Sequence, residues 1–194
     1  MAKVETWFPV AIYQEMDLFS HEQNLLWKKH ALSIENKIAS GGDEWEGGTY
    51  TTHSTSYELS NDPVFAPLID SITSHVNNFA VLHNSDFNYR CLGSWLNIST
   101  KENFQELHTH NDSTISAVYY VSASENSGKI VFEDPKEPDM FPLKSIQTKN
   151  TLSYTRIHYT PAPGLLLIFR SYLRHLVEPG TNTEPRISIA LNFN

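Results

Sequence analysis

One cysteine, Cys91, is all the thiol that the 194 residues hold, so neither an internal disulfide nor a Cys-x-x-Cys metal pair is available. Basic residues are also scarce. Lys and Arg number 14 against 22 Asp and Glu, the formal net charge is -8, and no basic stripe gathers anywhere. A phosphate-backbone binder needs such a stripe, so no nucleic-acid partner is expected. Long apolar runs are missing too. Stretches such as Leu165 to Phe169 are strand-sized, far below the roughly 20 residues of a membrane span. The opening MAKVETWFPVAIYQEMDLF carries early acids and no apolar h-region, so no signal peptide and no membrane association are expected. Together these absences point to a cytoplasmic protein, with oligomeric state open between monomer and homodimer. Repeats and low-complexity tracts are absent. With 40% hydrophobic and 19% charged residues, the chain reads as one globular domain over 1–194.

Within that domain the character changes near residue 90. Residues 1–90 mix helical patterns with polar loops. Trp27, Ala31, Ile34 and Ile38 recur at helical steps, as do Phe65, Leu68, Ile69, Ile72, Val76 and Phe79. Asp62 before Pro63 reads as an N-cap followed by proline at the first helical position. Between the two stripes lies a glycine-rich polar stretch, a candidate loop over a site, where Trp45 and Tyr50 beside Gly47-Gly48 form a candidate lid. From 91 to 194 short β-branched and aromatic segments alternate with turn signals at Ser127-Gly128, Asp134-Pro135, Pro161 to Gly164 and Pro179-Gly180. The expected fold is mainly β with α: a double-stranded β-helix (a cupin-like jelly roll) flanked by N-terminal helices.

The segment QELHTHND supplies the chemistry. On an extended chain residues i and i+2 share a face, so His110 and Asp112 can meet one metal. His175, just beyond the apolar GLLLIF strand, is the candidate third ligand. Two imidazoles and a carboxylate form a facial triad, which leaves three positions on octahedral iron(II) for a bidentate co-substrate and dioxygen. On the closing strand Arg186, Ser188, Ala190 and Asn192 share one face, and Ile187, Ile189, Leu191 and Phe193 the other. An arginine inside a barrel must be paired. A dicarboxylate would do this, with its far carboxylate in the guanidinium fork and on the Ser188 hydroxyl. The plainer alternative makes Arg186 a solvated edge residue. His158 and the early His21, His30, His53, His75 and His83 lack paired ligand spacing and read as surface or structural. The tryptophans Trp7, Trp27, Trp45 and Trp95 read as packing residues rather than a ligand cage, with Trp45 also open to the lid reading.

These residues resemble the 2-oxoglutarate/iron(II) oxygenase superfamily, and more narrowly the short 2OG-Fe(II) oxygenases of bacteria and phages. The likeness runs through Trp95-Leu96-Asn97, the His-x-His segment, Ser116 to Tyr120, Phe132 to Pro135, Pro163-Gly164, the distal His175 and the Arg-x-Ser strand. HLVEP and the later arginine are also similar to prolyl hydroxylases. The resemblance implies an iron(II), 2-oxoglutarate and dioxygen-dependent dioxygenase, with hydroxylation of a peptide, an amino acid or a small metabolite as the expected reaction. It also raises a second ligand set, because His108 and His110 with His175 would serve where Asp112 has no counterpart. By the same resemblance Tyr120 reaches the 2-oxoglutarate carboxylate or packs in the core. Asn97 either contacts the co-substrate or is a satisfied buried amide. The competing reading is a non-enzymatic cupin-like protein that holds a metal or ligand with the same residues.

Overall fold

The computed structural model describes residues 2–42, 46–136 and 143–194; Trp45, one half of the candidate lid, lies outside them. The strands form two antiparallel sheets. The first sheet contains β1 (Ile12–Glu15), β8 (Leu166–Arg170), β5 (Ile115–Ser122), β10 (Arg186–Phe193), β3 (Cys91–Ser99) and β2 (Tyr50–Thr51), in that spatial order. The second contains β4 (Gln105–His108), β9 (His175–Val177), β6 (Ile130–Glu133) and β7 (Arg156–Tyr159). This is the jelly-roll solution, and it hides most strand edges between neighbours.

Both faces of the larger sheet are covered, which explains its near-continuous apolar strands. Along β5, Ala117, Tyr119 and Val121 join the core on the helix side, while Val118 and Tyr120 turn toward the smaller sheet. Along β8, Leu166 and Ile168 join the first group and Leu167 and Phe169 the second. Each buried Val, Leu, Ile or Phe among them contributes about 1.5–3 kcal/mol. The helix-side core is closed by α1 (His21–Glu35) and α2 (Ala66–Leu82). Helix α1 begins where Ser20 Oγ accepts from the Gln23 amide at 3.2 Å, a cap worth about 1 kcal/mol. It buries Trp27, Ala31 and Ile34 as the stripe predicts. The indole N–H of Trp27 donates to Val64 O at 2.9 Å, so burying the ring strands no donor.

Three expectations need correction. Helix α2 starts at Ala66, not beside Asp62. The second proline, Pro67, takes the first turn, where its missing N–H costs nothing. Asp62 instead accepts from the Val64 amide and receives His30 and Tyr57 on its other oxygen, both at 2.6 Å. Trp7 is not a packing residue but is 71% exposed. The break near residue 90 does not separate helices from strands, since β1 pairs with β8 and β2 pairs with β3. Residues 1–90 therefore supply both edges of the larger sheet. No helix among the described residues is long and apolar enough to cross a membrane.

Candidate metal and co-substrate site

Strand pairing brings the distal histidine home. His175 opens β9 and stands opposite His108, the last residue of β4. Their ring centroids are 4.3 Å apart. His110 follows just past the end of β4, where its amide donates to Ser171 O at 3.1 Å. Its ring lies nearly parallel to that of His175, 5.2 Å away, with the two Nε2 atoms 3.3 Å apart. One ring nitrogen from each of His108, His110 and His175 falls within 4.8 Å of the others.

The hydrogen bonds define which nitrogens face inward. His108 Nδ1 lies 2.7 Å from Glu106 O, and His175 Nδ1 lies 2.9 Å from Leu173 O. A carbonyl oxygen only accepts, so both Nδ1 atoms carry the proton and both Nε2 atoms present lone pairs. Burial lowers the pKa of all three imidazoles. It takes His110 down to about 4, helped by His108 and opposed by a hydrogen bond with Asn192. Burial also lowers His108, and it holds His175 well below the ordinary histidine range. Three neutral imidazoles whose ring nitrogens gather this closely suit a borderline divalent cation such as iron(II).

Asp112 does not join them. The expectation of His110 and Asp112 on one face assumed an extended chain, but β4 ends at His108. A turn follows in which the Ser113 amide donates to His110 O at 3.4 Å. Alternation of faces fails across a turn, and Asp112 emerges exposed, its carbonyl accepting from Asn194 Nδ2 at 3.0 Å. Of the two ligand sets open in the sequence, the geometry favours the one containing His108.

Beside the histidines the closing strand builds a polar cradle. Ile187, Ile189, Leu191 and Phe193 enter the helix-side core, so Arg186, Ser188 and Ala190 face the cavity between the sheets. Arg186 is only 2% exposed, which rules out a solvated edge residue. Its Nη1 donates to Gly128 O and its Nη2 to Ser99 Oγ, each at 3.0 Å. Its Nε has no hydrogen-bond partner, and no ion pair among the described residues includes it. Burial pulls its pKa below the ordinary guanidinium value, with Tyr120 opposing. Ser188 stands opposite Asn97 on one side and Tyr120 on the other.

All three line the same cavity as the histidines. Burial pushes the Tyr120 phenol up to about 12, so it is a neutral hydroxyl. Tyr120 also packs in the core between the sheets, while Tyr119 packs in the helix-side core and donates to Asn24 Oδ1 at 2.8 Å. Asn97 is not a satisfied amide, because its Oδ1 is buried without a partner among the described residues. A buried N–H and a buried carbonyl oxygen, both orphaned in one cavity, call for a polar ligand.

Some site residues gave no warning in the sequence. His53 lines an adjoining outer cavity and meets the edge of Trp95 at 4.9 Å between centroids. Trp95 in turn stacks on His110 at 5.6 Å and 25°, so it is a wall of the site rather than core packing. Its i, i+2 relation to Asn97 was the signal available for it. Gln105 also lines both cavities.

Residues 93–192 match the protein family described as "Putative 2OG-Fe(II) oxygenase", and the chain belongs to that family. It is therefore an oxidoreductase of the dioxygenase type, with iron(II) as cofactor and 2-oxoglutarate and dioxygen as co-substrates. No curated protein matches the chain. Among solved structures, a prolyl-4-hydroxylase from Pseudomonas putida is similar with a TM-score of 0.66 at 12% identity, over 95% of this chain and 92% of that one. HygX from Streptomyces hygroscopicus, with nickel, 2-oxoglutarate and hygromycin B bound, is similar with a TM-score of 0.69 at 16% identity, over 95% and 83%. A prolyl hydroxylase from Trichoplax adhaerens, in complex with a hypoxia inducible factor peptide fragment, gives 0.62 at 12%, over 94% and 82%. At these identities the likeness concerns the fold.

Proposed function

We propose that the chain hydroxylates a small molecule or peptide, with iron(II) held by His108, His110 and His175. The observation that carries this reading is the shared cavity: three converging imidazoles and a buried guanidinium with an unpartnered N–H line the same space. In this reading Arg186 grips the far carboxylate of 2-oxoglutarate, and Ser188 and Tyr120 donate hydroxyl hydrogen bonds to the same co-substrate. Asn97, with its buried Oδ1 unpartnered, accepts from a ligand hydroxyl or N–H. When bound, iron(II), 2-oxoglutarate and dioxygen supply the oxidising power, giving succinate and carbon dioxide and leaving one oxygen atom for the substrate.

The chain's own part is orientation. The carbonyls of Glu106 and Leu173 fix the tautomers of His108 and His175, while Asn192 and Trp95 hold the ring of His110. Ser116 Oγ in turn donates to Asn192 Oδ1 at 2.9 Å, which steadies that amide. With three neutral ligands, the co-substrate's carboxylates must offset the charge of both the cation and Arg186. The similar structures hold hygromycin B in one case and a peptide fragment in the other, so the fold accommodates either size. The test is succinate release from anaerobically purified protein given iron(II), 2-oxoglutarate and then air. Production that vanishes in His175→Ala is the expected result; no succinate from the parent protein would refute the reading.

A further inference from the structure

The outer cavity has a character of its own. It measures about 350 Å³ and opens directly beside His108 and His110, which form part of its wall. Small-molecule sites are ordinarily lined by apolar side chains with a few polar groups among them. Here the side chains that line the cavity are mostly polar. Among the twelve described residues that line it, Trp95 is the single hydrophobic side chain, and the others carry hydroxyls, amides, imidazoles and one carboxylate. A molecule rich in hydroxyls would find side-chain donors and acceptors along much of this wall.

Charge narrows the choice. Among the described residues Asp112 is the one carboxylate in that lining, and neither lysine nor arginine accompanies it. Its backbone is fixed from two sides, by Asn194 on its carbonyl and by the turn from His110 to Ser113. Thr109 Oγ1 donates to Asn111 Oδ1 at 2.7 Å, bracing the same wall. A ligand filling the cavity strips water from Asp112, and a carboxylate so desolvated needs a cationic partner. A protonated amine supplies that partner through a charge-assisted hydrogen bond. An anionic ligand would meet a like charge at this part of the wall. The unpartnered Asn97 Oδ1 lines this cavity as well, so the deep end also asks for a donor.

We propose that the outer cavity is the primary-substrate site, and that it selects a small polyhydroxylated molecule bearing a protonated amine, with Asp112 as its ionic anchor. The inference rests on the reading of the histidine cluster as the iron site. Protein loaded with manganese(II) and 2-oxoglutarate, which does not turn over, is titrated calorimetrically with glucosamine, glucose and glucuronate. These probes share a ring and differ in one group: amine, hydroxyl or carboxylate.

Glucosamine should bind about tenfold more tightly than glucose, with glucuronate weakest, and Asp112→Asn should bring glucosamine to the level of glucose. Glucosamine binding no tighter than glucose, no binding at all, or a preference that survives in Asp112→Asn would overturn the proposal. Titrations of manganese(II) and 2-oxoglutarate on the same samples report on the iron site separately. If those two bind and the amine preference is missing, only the substrate inference falls; if they fail to bind, both fall.

Discussion

Replacing Arg186 with methionine should weaken 2-oxoglutarate binding severely while leaving the fold nearly as stable as before. The two effects have different origins. In the free protein the guanidinium is buried, unpaired by any described carboxylate, and satisfied only at Nη1 and Nη2. Removing it forfeits two hydrogen bonds from a charged donor, each worth about 1.5–3 kcal/mol, and leaves Gly128 O short of a partner. It also removes the desolvation penalty of a buried charge, which is several kcal/mol of opposite sign. Methionine is close in length and apolar, so the terms nearly cancel and stability should change by less than about 2 kcal/mol. For a domain of this size that is a shift of roughly 4–8 °C at most.

With 2-oxoglutarate present the balance differs, because the arginine is then paired. Loss of a two-pronged carboxylate contact should raise Kd by about 100-fold or more. The assay is calorimetric titration of 2-oxoglutarate into manganese(II)-loaded protein, with thermal melts of the free proteins alongside. A Kd raised less than threefold would refute the assignment of Arg186. So would a free variant that melts far lower than the parent, because Arg186 would then be a structural residue.

Among the metal-site variants, His108→Ala should lose iron by more than about tenfold in affinity, while Asp112→Ala should retain it; metal analysis after dialysis distinguishes the two ligand sets. Asp62→Asn should cost about 1–3 kcal/mol in urea denaturation near neutral pH, since its carboxylate serves His30, Tyr57 and the Val64 amide. Burial acts to raise the Asp62 pKa, but the hydrogen bonds from His30, Tyr57 and Val64 outweigh it and leave the value lowered. A carboxylate lowered on folding contributes stability above its unfolded pKa of about 4 and loses it as pH falls through the folded value. The gap between parent and Asp62→Asn should therefore close below about pH 4; a gap that widens there would contradict the sign. Gly128→Ala should destabilise the fold and weaken 2-oxoglutarate binding together, because a Cβ at that position would collide with Glu178 O and displace the carbonyl that holds Arg186. Melting temperature and Kd measured on one preparation test this coupling.

Several features were legible because they depend only on neighbours along the chain. The alternation of β10 placed Arg186 and Ser188 on one face and four large apolar residues on the other, and the folded strand keeps that division. The stripe of α1 likewise follows from helical spacing alone. The same local rule misplaced Asp112, because alternation holds only while the strand lasts and β4 stops at His108. Nothing in the residues themselves announces where a strand ends when the stop is set by pairing with β9. His53 was missed for a related reason: its role comes from β2 being laid along β3, a contact between segments far apart in sequence.

The amino-acid sequence by itself determined the class of fold, His110 and His175 as candidate ligands, and the arginine beside them. These rest on residue type and on short-range periodicity. Only the tertiary structure brought His108 against His110 and His175, and only it showed that among the described residues Arg186 is buried without a counter-charge and Asn97 Oδ1 has no partner. Each of those is a property of what packs against a side chain from a distant strand, and no spacing along the chain encodes it.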